Sequence, residues 1–241
     1  MHTTRLRLAA AALPALLLAA ACSSGDDSPT PDSQSPNVLS GKAPLTTEQL
    51  TKALVTDSDL PGWVVQPSRT ADSSDTSTLT ADKPVCQPLA DVTSSNPKIH
   101  RMAFVGAAFA KGTAKAGTTP EIINQMMVAS HAPGDAAKVM TQLKTALAGC
   151  TAFTATDSTG AKTPFTVSKG PAVPVGDTAV SWVMNDTSDK GAGAALLSVV
   201  QTGDTVTMYV SVKSAGGAGP LPVDVERKQD EKLKKALAAR K

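Results

Sequence analysis

The chain has 241 residues, with 23 Lys and Arg against 21 Asp and Glu and only 3% aromatic residues. A balance so near neutral gives no electrostatic case for nucleic acid, which calls for a clustered basic surface. The length suits one folded domain with flanking segments, and the scarcity of rings leaves Val, Leu, Ala and Met to build its core.

The first segment carries Arg5 and Arg7 and then an apolar run from Leu8 to Ala21. That is the basic-then-apolar layout of a secretory signal. Its 14 residues reach roughly 21 Å as a helix, short of the roughly 30 Å hydrocarbon core of a bilayer. Pro14 interrupts it as well, so residues 1–21 are read as a signal peptide and not as a permanent span. The run ends at Ala19, Ala20 and Ala21, directly before Cys22. This resembles a bacterial lipobox, with Leu18 one place further out than the usual leucine. The resemblance implies cleavage before Cys22, diacylation of its thiol and acylation of its new amine. Two or three acyl chains suffice for stable anchoring where one is marginal. Removing residues 1–21 takes away both arginines and no acid, leaving 21 basic against 21 acidic side chains.

Residues 22–44 form the lipidated cysteine and a tether. Residues 23–44 hold 15 Ser, Asp, Pro or Gly among 22, a composition that cannot bury enough apolar surface to offset its ordering entropy. The domain proper is expected over 45–241. It opens on a helix running to about Thr56, with Thr46 as N-cap, Gln49 completing a capping box, and Leu45 and Leu50 placed as a hydrophobic staple. Pro61 and Gly62 end it, and "WVVQ" follows as a short strand. From Pro67 to Pro84 the chain is polar and is expected to be an unstructured loop.

Residues 100–110 alternate in polarity as a strand does, and 121–131 are read as a strand from a more ambiguous pattern. The clearest helix is 134–150, with Asp135 as its cap and Val139, Met140, Leu143, Leu147 and Cys150 on one face. Strands follow at 178–185, 194–201 and 205–213. In the last, Val206, Met208, Val210 and Val212 are expected to face inward and Thr207, Tyr209 and Ser211 outward. "SAGGAGP" breaks the pattern, and a charged helix with a solvated face closes the chain over 222–240. Runs of adjacent strands with helices kept apart predict one α+β domain, an antiparallel sheet with helices packed on one face.

With Cys22 assigned to lipid, Cys86 and Cys150 remain, and in an oxidising compartment a disulfide between them is the expected state. The lipobox and tether, "LTTEQLTKALVTDSDLPGW", "VCQPLADV" and the helix ending at Cys150 together resemble a class of actinobacterial lipoproteins. Their arrangement is also similar to the extracellular sensor domain of PknH-type receptor kinases. That resemblance implies a cupped antiparallel sheet with helices on it and a cleft that takes a ligand.

No catalytic motif is present: G-x-S-x-G, H-E-x-x-H and S-x-x-K followed by K-T-G are all missing. The expectation is therefore a non-enzyme without metal or other cofactor, a secreted hydrolase standing third. "HRM" at 100–102, with Met126, Met127 and His131, is the one stretch with soft ligands suited to copper, and it reads more simply as core plus strand end. Trp63 after its turn and the outward Tyr209 are the ligand-binding candidates, while Trp182 belongs to the core. The leading reading is an extracytoplasmic lipoprotein on the outer face of the cell membrane. Its partners would be membrane lipid through the anchor, a small-molecule or lipid ligand and an envelope protein. The alternative is a carrier of a lipid or other apolar molecule.

Overall fold

A computed structural model describes residues 42–68, 77–112, 119–188 and 193–240. The signal peptide, Cys22 and most of the tether lie outside the described residues, as do 69–76 of the long polar loop.

Nine strands form one antiparallel sheet: β1 (Trp63–Ser68), β2 (Thr80–Ala81), β3 (Ala103–Lys111), β4 (Ile122–Ser130), β5 (Ala152–Thr156), β6 (Lys162–Lys169), β7 (Thr178–Asp186), β8 (Ala194–Thr202) and β9 (Thr205–Lys213). Their spatial order is β1-β3-β4-β9-β8-β7-β6-β5-β2. The four helices are α1 (Thr47–Ala53), α2 (Gln87–Thr93), α3 (Asp135–Gly149) and α4 (Val223–Ala238). The α+β class is the one expected. Three elements were not: α2, whose Pro88 masks a first turn where proline is tolerated, the five-residue β5 and the eight-residue β6. Pro164 lies inside β6, and a proline argues against a ladder residue; it sits just before the pairing with β7 begins at Phe165. The end of the long polar loop is also ordered, as edge strand β2 against Thr156 and Ala155.

Helices expected on one face of the sheet cover both. Neighbouring residues of a strand point to opposite faces, and both sets are buried here. Leu50, Ala53, Val225 and Leu233 of α1 and α4 pack with Val105, Phe109, Val128, Val200 and Tyr209. On the other face Leu89, Met140 and Leu143 of α2 and α3 pack with Trp182, Leu197, Val199 and Val206. The sequence alternation of β9 assumed one wet face; α1 and α4 remove it.

Local chemistry explains the helix ends. In α1, Thr46 Oγ1 accepts from the Gln49 amide and Gln49 Oε1 from the Thr46 amide, with Leu45 and Leu50 buried beside them. The helix stops at Ala53, short of Thr56. The cap of α3 is Gly134 and not Asp135: its φ of 84° suits glycine alone without strain. Gly203, at φ 58°, makes the tight β8–β9 turn. A disulfide joins Cys86, just before α2, to Cys150, just after α3, with Cα atoms 5.3 Å apart.

The last helix is less solvated than its charge suggests. Gln229 is fully buried, donates to the Ala53 carbonyl (2.9 Å) and accepts from the Val55 amide (3.0 Å), locking α4 to the end of α1. Ser198 donates to Glu226 and Thr202 to Asp230, fixing α4 to β8.

Candidate functional site

At one corner of the sheet, the start of β1, the end of β3 and the start of β4 meet the run 220–222 and the first turn of α4. They enclose a hollow of about 240 Å³ lined by Trp63, Lys111, Ile122, Asn124, Asp224 and the Pro220–Pro222 segment. Register creates it: Trp63 pairs with Lys111 across β1 and β3, and Asn124 lies between Phe109 and Ser211. The Trp63 ring is half-buried and leans on Phe109 at 5.7 Å between centroids. Lys111 and Asp224 are exposed at its edge.

Asn124 is 2% exposed; its Nδ2 donates to the Phe109 carbonyl (3.2 Å), while its Oδ1 is buried without a partner. That assignment of the amide is the sound one, since the reverse would set two oxygens against each other. The hydroxyl of Ser211, the β9 neighbour of Asn124, is buried without a partner too. The proline N-cap of α4, Pro222, offers no side-chain acceptor to the helix's first amides. Small rigid walls, one aromatic face and the partnerless Asn124 amide oxygen suit recognition of a small ligand.

Of the two candidates from the sequence, Trp63 lies at a hollow. Tyr209 does not. It is 2% exposed and sits between Met126 and Ser198, edge-on to Phe109 at 6.5 Å. Burial, with the Glu226 and Asp230 charges, pushes its hydroxyl well above the usual value. Trp182 is in the core, as expected, with its indole N–H unpartnered. Sequence reasoning missed Asn124, Lys111 and Asp224. Asn124 had a signal: it shares the inward parity of Met126 and Val128, where an amide is out of place.

Two further hollows lie on the α2–α3 face. A larger groove of about 650 Å³ runs between the end of α3 and β6–β7, with Leu147, Val167, Val173 and Val180 in its lining and Lys144 and Lys169 among them. A narrow slot between α2, α3 and strands β4 and β9 holds Arg101, His131, Met127 and Met208. Arg101 donates to the Val92 and Ser94 carbonyls at the end of α2, and burial lowers its guanidinium to about 10. Burial likewise lowers His131, whose Nδ1 faces the His100 carbonyl at 3.2 Å. The stretch considered for copper does not converge: Met102 is exposed, and Met126 and Met127 point to opposite faces. Among the described residues no group of three His, Cys, Asp or Glu is placed to hold a metal.

The family model of the PknH-like extracellular domain matches residues 45–228, so the chain belongs to that family. Membership implies a place outside the cytoplasm. The chain is also similar to the crystal structure of the extracellular domain of PknH from Mycobacterium tuberculosis, at 15% identity and a TM-score of 0.52, over 82% of this chain and 99% of that one. A second solved structure, an uncharacterised protein from Mycobacterium smegmatis (Rv0999 ortholog), covers 80% of this chain and 94% of its own at 14% identity, with a TM-score of 0.26. No curated protein matches. Among the described residues no helix is long and apolar enough to cross a membrane.

Proposed function

We propose that the chain is a lipoprotein on the outer face of the cell membrane, whose domain is a non-enzymatic, ligand-binding unit of sensor type. Cys22 carries the lipid, residues 22–44 hold the domain off the bilayer, and Trp63 marks the ligand site. The observation that carries this reading is the Trp63 hollow, lined by Asn124, whose amide oxygen lacks a partner within the protein. Family membership supports the sensor type; the lipobox and tether support the anchor. An envelope protein is the partner through which a sensor would act, and crosslinking in whole cells is the way to capture it.

Native mass spectrometry of protein purified from an envelope-competent host tests the ligand. A stable extra mass is expected, and a bare mass under every condition tried overturns the reading. The anchor has its own test. The wild-type chain is expected in the membrane fraction and Cys22→Ser outside it; equal partition of the two removes the lipid.

The second reading, a carrier of a lipid or other apolar molecule, is favoured by one feature, the groove of about 650 Å³ with its largely apolar lining. It requires lipid in organic extracts of the purified domain, beyond the acyl chains of Cys22.

A further inference from the structure

We infer that the Trp63 hollow takes a neutral polyhydroxylated ring of about the size of one sugar or cyclitol. This rests on the ligand-binding reading above and adds the chemistry of the ligand. Volume comes first. About 240 Å³ is below the roughly 300–1,000 Å³ of drug-sized sites, so one small ring fits and an acyl chain does not.

The lining then selects among small molecules. Asn124 Oδ1, buried without a partner, needs a donor, which a hydroxyl on the ligand would supply. The first turn of α4, capped by a proline without a side-chain acceptor, offers amide donors and so needs an acceptor. A hydroxyl is both. The half-buried Trp63 indole offers an apolar face for the C–H side of such a ring.

Charge decides between a polyol and an anion. A helix N-terminus by itself favours phosphate or carboxylate. Here Asp224 occupies the first turn of α4 and lines the hollow together with Lys111. One acid and one base leave the site formally neutral. The Asp224 carboxylate repels a phosphate and accepts from a hydroxyl.

The test is saturation-transfer NMR on the full chain in detergent, with glucose, galactose, mannose, arabinose and inositol as probes and inorganic phosphate alongside. At least one ring is expected to receive saturation and phosphate none. Trp63→Leu is expected to weaken the bound ring by roughly tenfold, the size of a lost aromatic contact plus its burial. Asn124→Leu is expected to do the same. Should that buried variant fold poorly by circular dichroism, Trp63→Leu at the rim decides alone. Binding of phosphate in place of a ring overturns the inference, as does ring binding that survives Trp63→Leu. If no ring binds while native mass spectrometry still finds a bound mass, this inference fails and the ligand-binding reading stands; if neither is seen, both fail.

Discussion

Glu226 is fully buried against β8, where one carboxylate oxygen accepts from Ser198 and the other has no partner. Burial raises its pKa, and the Ser198 hydrogen bond only partly opposes this. The folded protein therefore holds that proton more tightly than the unfolded chain does. Between the ordinary value of 4.5 and the raised one, stability falls as pH rises. Above that window the group costs stability relative to the unfolded chain. Glu226→Gln keeps the shape, removes the charge and is expected to raise Tm at pH 7 by about 2–4 °C for each 1 kcal/mol relieved. An unchanged or lower Tm would mean the carboxylate is stabilising. His131 works in the opposite sense. Burial lowers its pKa below 6.5, with the Arg101 charge adding to this and Asp135, Asp204 and the His100 carbonyl opposing it. Its contribution is full above about 6.5 and is lost as pH falls below that value toward the lowered one. Thermal melts of His131→Asn at pH 7 and pH 5 should therefore differ less than those of the wild type.

The elements most exposed to single changes are those held by one polar link. Gln229 joins α4 to the end of α1 through the Ala53 carbonyl and the Val55 amide, both in a buried setting. Gln229→Leu strands both groups and is expected to cost about 2–5 kcal/mol in urea unfolding; a loss under about 1 kcal/mol would mean that water replaces the amide. The Cys86–Cys150 bond closes a 64-residue separation, and replacing both cysteines by alanine should lower stability by about 4 kcal/mol in the chain-entropy account. The same links show what the sequence could reveal. The α1 capping box, the strands of β7–β9 and the cysteine pair were legible because each rests on local pattern or on elimination. Which side of β9 meets water was not, because that depends on where α1 and α4 dock. Tyr209 was misplaced for this reason, and the buried Gln229 and Asp230 fall in a run that was read as a solvated helix face. The turn before Trp63 pointed to a ring at the surface, and the ring is half-buried beside a hollow. Asn124 carried a signal in its inward parity with Met126 and Val128, but its meeting with Lys111 and Asp224 was not legible, since three strand ends and a helix start meet only in the folded chain.

The whole domain is two cores back to back on one sheet, and the sheet itself must couple them. Leu197 and Val199 of β8 serve the α2–α3 core, while Val200 of the same strand serves the α1–α4 core. A strand cannot release one set of side chains and keep its ladder for the other, so the cores should melt together. The two tryptophans report on them separately: half-buried Trp63 packs on the α1–α4 core, and Trp182 is buried in the other. In Trp63→Phe only the α2–α3 core carries a tryptophan; in Trp182→Phe only the α1–α4 core does. Within each variant, the urea midpoint by fluorescence is expected to match that by far-ultraviolet circular dichroism. The comparison is made within a variant because Trp182→Phe shifts stability on its own, removing core volume along with an unpartnered N–H. Reduction of the disulfide, which touches only the α2–α3 core, should move both midpoints down in step. A fluorescence transition for Trp182 that precedes the loss of strand signal would mean that α2 and α3 detach first. The sheet would then be a scaffold held by α1 and α4 alone, and the Trp63 hollow, built on that face, would outlast the rest of the fold.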